Sequence, residues 1–499
     1  MSLARHAKSA VLWNASFNLL REVILRIGGL VIFRRMLETA DYGVFDEVNR
    51  IVGFLGLFAF TNFVAHTVQV REDKDAQWQN HFTAGGFFQL TLFALTNLIA
   101  FALGWFPKFA EFAPLVQLMS LTFLLDWPCE FRRKMLERAF DWKRLRILHA
   151  SALIVAFLVQ LWLARLRCGP YVLLVPSFVM ALPFIFDLFV LQGWRPDWTW
   201  SWANYKPAWN FGWTRVASGL AFGGRRLIEG SVIVALVGTA QFGILGSALG
   251  LAQVACQGFA EQLLYSIYSV LTRVNPDPAN VTRVNALVLR VVAWVTIPAA
   301  AFSSLLAAPL LLAVYGEKYT AAIPLLPWAM LVGAAIALGN TANQLLLSKN
   351  KLKHCLAADI LLLVGTLFAL VFALPGGLQT YLIAVASLQV VLFALMVVWL
   401  IQGQCLNFSG VKNSLLPAFT ATGIGVLAVL ALEKFGGVNP AQLFFTGTWG
   451  AVCGAGLCGV VAGMTYLVVL RAAFTPQLRE LAGYLPGRKI ARRILILGD

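Results

Sequence analysis

Charge is scarce along this chain: Asp, Glu, Lys and Arg together make up 12% of 499 residues, about half the share usual in soluble domains. That shortage excludes a protein whose whole surface faces water. Histidine is scarcer still, and the five residues His6, His66, His81, His149 and His354 are dispersed. None stands with a Ser or Cys at a catalytic spacing, and none pairs at metal-ligand spacing, so the pattern points to neither nucleophilic catalysis nor a metal centre. The seven cysteines are scattered and odd in number, which argues against a disulfide framework and for small apolar packing residues. No glycine-rich phosphate loop and no polar stretch long enough for a nucleotide-binding domain is present. An ATP-driven pump and a hydrolase are therefore disfavoured, and no cofactor is expected.

Apolar residues are abundant instead, at 59% with a mean hydropathy of +0.76. Runs of about 20 apolar residues recur from Val11 to Leu470, separated by short polar or Gly/Pro stretches. The reading is an all-α polytopic membrane protein with about fourteen transmembrane helices. The first expected span is Val11 to Phe33, the second Phe45 to Val64, the seventh Trp209 to Val237 and the last Phe444 to Leu470. Barrel strands would be shorter and alternating. The basic start, Met1 to Lys8, leads into an apolar stretch that carries Arg21, Glu22 and Arg26 and has no small-residue cleavage site. It is read as the first span rather than a signal peptide.

The formal charge of +16 does not imply nucleic acid, because no soluble basic domain exists to hold it. Lys and Arg instead mark topology and meet anionic headgroups of membrane lipids. With the N-terminus inside, about 25 of them fall in inside segments and about seven outside, so both termini are expected in the cytoplasm. The basic segment Glu130 to Arg146 is expected to be an amphipathic loop at the inner interface, either touching anionic lipid or merely setting topology.

One internal match stands out. Thr39-Ala40-Asp41-Tyr42-Gly43-Val44-Phe45 is answered 200 positions later by Thr239-Ala240-Gln241-Phe242-Gly243-Ile244-Leu245. Six spans separate the copies, so they share one membrane orientation and predict parallel repeats about an axis along the membrane normal. The spans before them correspond as well. Asn14, Asn18, Glu22 and Arg26 form a stripe at four-residue steps with Arg21 beside it; Thr214, Ser218, Phe222 and Arg226 hold the corresponding positions of the seventh span, where Arg215, Arg225 and Glu229 enlarge the polar face. Rising about 1.5 Å per residue, Arg21 reaches mid-bilayer, and Arg26, Arg225 and Arg226 its outer half.

Ionisable groups at that depth cost about 2.5 to 3.5 kcal/mol each and face a bundle interior or a hydrated cavity. Pairs such as Glu22 with Arg26 and Arg225 with Glu229 cancel part of the charge. Six arginines, with Arg290 added to those above, set against Glu22, Glu229 and Glu261 leave about three positive charges uncompensated. Two readings stay open: arginines that bridge helices, or a cavity for an anionic substrate. Gln257 and Glu261 on the eighth span and Asn343 on the tenth are further candidates for polar contact with substrate or between helices. Asp359 could hold a coupling cation or be a solvated acid.

The segment Arg35-Met36-Leu37-Glu38-Thr39-Ala40-Asp41-Tyr42-Gly43-Val44-Phe45 resembles the leucine-then-Asp-Tyr-Gly turn of the Wzx-like oligosaccharide and polysaccharide flippases, within the multidrug/oligosaccharidyl-lipid/polysaccharide exporter superfamily. Leu136-Glu137-Arg138-Ala139-Phe140-Asp141-Trp142 and Tyr315-Gly316-Glu317-Lys318-Tyr319 are similar to that family too. The resemblance implies two six-helix lobes around a central cavity, at 1–194 and 209–403, joined by a cytoplasmic linker at 195–208. Residues 404–499 would add two helices and a basic cytoplasmic tail. It implies no enzyme but a flippase that moves an undecaprenyl-phosphate-linked glycan across the bacterial inner membrane by alternating access. Its partners would be that polyprenyl-(di)phosphate-linked glycan, membrane lipids, and a glycan polymerase or glycosyltransferases. Rival readings are a drug/cation antiporter of the same superfamily, which would show acids in the cavity, a lipid II flippase, and a membrane glycan polymerase or ligase, which would show a large outside loop.

Overall fold

The computed structural model describes residues 13, 17, 20–21, 23–69, 77–258, 260, 278–349, 351–435 and 448–484. Among them the secondary structure is helical throughout, without strands. Contacts divide the chain into two compact units, Met1–Gly243 and Ile244–Asp499.

The first unit holds α1 (Ile24–Phe33), α2 (Thr39–Leu55), α3 (Phe60–Val64), α4 (Trp78–Leu103) and α5 (Ala113–Arg138). It continues with α6 (Trp142–Arg165), α7 (Tyr171–Val179), α8 (Leu182–Phe186) and α9 (Trp202–Val237). Helix α10 (Thr239–Ala252) gives its first turn to this unit and the rest to the second. The second unit contains α11 (Pro278–Leu305), α12 (Ala307–Tyr315), α13 (Leu326–Ser348), α14 (Leu352–Phe368) and α15 (Leu378–Gln402). It ends with α16 (Phe408–Phe435), α17 (Thr448–Ala473) and α18 (Thr475–Tyr484).

Among the described residues, eleven helical stretches are long and apolar enough to cross a membrane. They fall on eleven of the expected spans, so the polytopic all-helical class holds. Of the other three, the first lies largely outside the described residues, and the second and seventh depart for physical reasons. The second is broken between α2 and α3 at Gly56–Phe58, and the seventh carries Arg215, Arg225, Arg226 and Glu229 along α9. Large apolar side chains such as Phe87, Phe101, Phe372 and Val460 stand exposed, as lipid-facing helices require.

Helix α2 starts on a reciprocal cap: the Glu38 side chain accepts from the first turn, while the Glu38 N–H donates to Asp41 at 2.9 Å. This satisfies two N–H groups that the helix itself leaves open. The repeated motif meets itself just beyond. A Cβ on Gly43 would lie 1.9 Å from the Thr239 carbonyl oxygen, and a Cβ on Gly243 would lie 1.9 Å from that of Thr39. The contact is reciprocal, each Thr opposing the other copy's Gly, and only glycine at both places lets the backbones come so close.

The basic segment Glu130 to Arg146 is not a loop but mostly helix. Helix α5 runs on to Arg138, the chain turns at Phe140 with φ of 55°, and Asp141 caps α6 by accepting from the Arg144 N–H at 3.1 Å. The reason is Asp187, which is buried after α8. Arg132 reaches one of its oxygens and Arg144 the other, each at 2.6 Å. Arg138 donates to the Thr67 carbonyl at 2.5 Å. These cations tie helix ends together.

The second unit packs α11 against α16 and α13 against α15. Polar groups pin the apolar core: Asn285 Nδ2 donates to the Cys405 carbonyl at 2.9 Å, and Trp294 Nε1 donates to Ser414 at 3.1 Å. The Ser414 hydroxyl returns a bond to Ala286 at 2.8 Å, and Tyr466 donates to Trp294 at 2.8 Å. Each backbone oxygen gains a donor that lipid could not supply.

Candidate functional site

The charged residues of α9 meet α2 inside the first unit. Asp46, Glu47 and Arg50 occupy one turn of α2, and Arg225, Arg226 and Glu229 one turn of α9. Gly230 lets them approach: a Cβ there would fall 2.2 Å from Glu47 Oε2 and 2.7 Å from Arg50 Cδ. Arg50 donates through Nη1 to the Arg226 carbonyl at 2.7 Å and stands 3.7 Å from Glu229 Oε2. Arg225 Nη1 lies 3.5 Å from the same oxygen, as the four-residue spacing predicts. The buried Glu47 carboxyl accepts from the Ser231 hydroxyl at 2.6 Å. Asp46 feels the charges of Arg34, Arg50 and Arg226. Arg34 is itself buried over the Tyr42 ring, 3.6 Å from its centroid.

Among the described residues the cluster thus joins four arginines to three acids, one more cation than acid. Both guanidinium contacts on Glu229 are longer than the roughly 2.7 to 2.9 Å of charge-assisted hydrogen bonds. Arg226 is exposed beside Phe222, 5.6 Å from the ring centroid. An anion with several oxygens matches this chemistry: an open guanidinium in front, two half-committed ones behind, and acids that hold them in place.

No contact with the cluster is described for the other candidates, and several fall outside the described residues. Arg215 is exposed over Phe211, 5.9 Å from its centroid, about three helical turns before Arg225. Arg21 is half-buried. Arg26 belongs to α1, where only its backbone is described. Asn14, Asn18, Glu22 and Glu261 fall outside the described residues. In the second unit Gln257 is half-buried on a wide helical turn, and Asn343 is half-buried on α13, its backbone oxygen 3.9 Å from Cys355 Sγ. Arg290 is buried and pairs with Glu480 at 2.7 Å.

Sequence reasoning missed Asp46, Glu47 and Arg50. A signal existed, because three charges at one-turn spacing interrupt an expected span. At the repeat offset they correspond to Gly246, Ser247 and Gly250, so the second copy has no charges at these positions.

A family model described as polysaccharide biosynthesis protein matches residues 32–324. Among solved structures, a lipid II flippase MurJ in an inward closed conformation superposes with a TM-score of 0.64 at 11% identity, over 94% of this chain and 98% of that one. An inward-facing multidrug resistance MATE family transporter of the MOP superfamily does so with a TM-score of 0.54 at 14% identity, over 76% of this chain and 96% of that one. No curated protein matches. The two structures share the fold and both are transporters. With the family match spanning more than half its length, the chain belongs to the polysaccharide biosynthesis protein family.

Proposed function

We propose that the chain is a flippase that carries an undecaprenyl-phosphate-linked oligosaccharide or polysaccharide unit across the bacterial inner membrane. The observation that carries this reading is the meeting of Arg50, Arg225 and Arg226 in the first unit, with Arg226 open to a ligand. A lipid-linked phosphate supplies the anion such a cluster suits, and a family of polysaccharide biosynthesis supplies the cargo class. The lobes are 1–194 and 209–403, related as parallel repeats, with 404–499 as the added helices and tail. The reciprocal contact of Gly43 and Gly243 supports that relation. Rocking about such a crossing would open the cavity to each side in turn while the lipid tail stays in the bilayer. Arg21, Arg26, Arg215 and Asn343 remain proposed contacts for phosphate or sugar, and no bond is made or broken.

The test is surface glycan measured together with membrane-extracted protein in Arg226→Ala, Arg226→Lys and Glu229→Gln variants. Arg226→Ala should stop export at normal protein level, and Arg226→Lys should restore it partly, because lysine keeps the charge but loses the planar fork. Normal export in Arg50→Ala/Arg226→Ala at wild-type abundance would overturn the phosphate site. A lipid II cargo would show instead as loss of viability in the same variants.

A further inference from the structure

The second unit contains a cavity of about 690 Å³ where α11, the start of α16 and α18 meet. Two arginines of α11 line it. Arg290 lies deep, with 5% of its surface exposed, and Arg283 sits at the rim. Both hold Glu480 of α18, the single acid among the lining residues: Arg290 Nη1 is 2.7 Å from one carboxylate oxygen, and Arg283 Nε is 3.2 Å from the other. The buried Nε of Arg290 has no hydrogen-bond partner among the described residues.

A second wall is the first turn of α16, a helix of 28 residues. Asn407 caps it, accepting from the Gly410 N–H at 2.7 Å. That leaves the N–H groups of Phe408 and Ser409 at the cavity, where the positive end of the helix dipole lies. Asn413 and Thr282 complete a lining rich in hydrogen-bond donors. A carboxylate offers two oxygens and one charge, which occupies the arginine side alone. A phosphate offers more oxygens and could span both walls.

We propose that this cavity is a binding site for a phosphate-bearing anion, and that Glu480 is a tethered competitor that occupies the arginines when the anion is absent. The site is separate from the cluster in the first unit and does not depend on the cargo assigned there. Phosphate would take Arg283, Arg290 and the α16 N–H groups, and Glu480 with α18 would be released from both arginines. The anion could be a phospholipid headgroup or free phosphate.

The full-length protein distinguishes these sources by thermal unfolding. In detergent, inorganic phosphate is titrated against chloride at constant ionic strength. In nanodiscs, phosphatidic acid replaces part of the phosphatidylcholine. Glu480→Gln keeps the side chain's size and removes the competing charge. If Glu480 fills the site about nine-tenths of the time, its removal tightens apparent binding about tenfold. Stabilisation by inorganic phosphate, stronger in Glu480→Gln, supports the site with free phosphate as ligand. Stabilisation by phosphatidic acid alone supports it with a headgroup. Arg283→Gln, on an exposed residue that leaves the core intact, should weaken either response. A helix-bridging ion pair and nothing more predicts that Glu480→Gln unfolds earlier and responds equally to chloride and phosphate and to both lipids. That result would overturn the proposal.

Discussion

Gly43 and Gly243 give a sharp test of how the two copies of the repeated motif meet. Adding a methyl to either glycine places carbon 1.9 Å from a backbone carbonyl oxygen, on Thr239 or on Thr39. Carbon and carbonyl oxygen settle no closer than about 3.3 Å, so the helices must part by about 1.4 Å. No rotamer change relieves this, because the obstructing atom is backbone. Overpacking of that kind costs about 1 to 3 kcal/mol, and the upper end applies here. Gly53 serves as a control on the same helix, because nothing lies within 4 Å of a Cβ there. Gly53→Ala should be neutral or stabilising by up to about 1 kcal/mol through helix propensity. The double variant Gly43→Ala/Gly243→Ala should cost less than the sum of its parts, since one separation of the helices accommodates both methyls. Unfolding in detergent, followed by tryptophan fluorescence, measures all four. Gly43→Ala unfolding together with Gly53→Ala would refute the reasoning.

Asp187→Asn removes the carboxylate shared by Arg132 and Arg144 and leaves the buried Arg132 without its counter-charge, so it should cost about 3 to 5 kcal/mol and lower the detergent-extracted folded fraction. Burial alone would raise the Glu480 carboxyl, but Arg290 and Arg283 hold it below its ordinary value of 4.5. The α18 contact is therefore fully present above about pH 4.5 and lost as pH falls through the lower folded value, which hydrogen exchange of α18 against pH would follow. Reporter fusions at Phe140 and Lys351 should read cytoplasm and those at Lys108 and Glu317 outside, from the Lys/Arg bias; a cytoplasmic signal at Lys108 would reverse the orientation.

Patterns within one helix were legible in the sequence. Run length gave the membrane helices, and four-residue spacing gave the Arg225–Glu229 pair. The motif shared by Thr39–Phe45 and Thr239–Leu245 singled out two glycines that prove to touch. What escaped was charge balance between helices. Arg290 looked uncompensated because Glu480 lies 190 positions away in the tail. Glu47 and Ser231, 184 apart, form a contact that no local period encodes. The basic stretch around Arg132 read as a loop for the same reason, since Asp187 is 55 positions on. Helical periodicity fixes which residues share a face, but packing decides what that face meets.

Helix α9 is 36 residues long, about 54 Å at 1.5 Å per residue, against a hydrocarbon core of about 30 Å. Moved as a rigid rod, it would act as a lever with unequal gearing. A pivot of about 10° around its midpoint would swing each tip by about 5 Å but displace Arg225 and Arg226, some six residues from the centre, by under about 2 Å. The tryptophan-bearing end near Trp202 could then travel far at the membrane surface while the pairs around Glu229 are barely stretched.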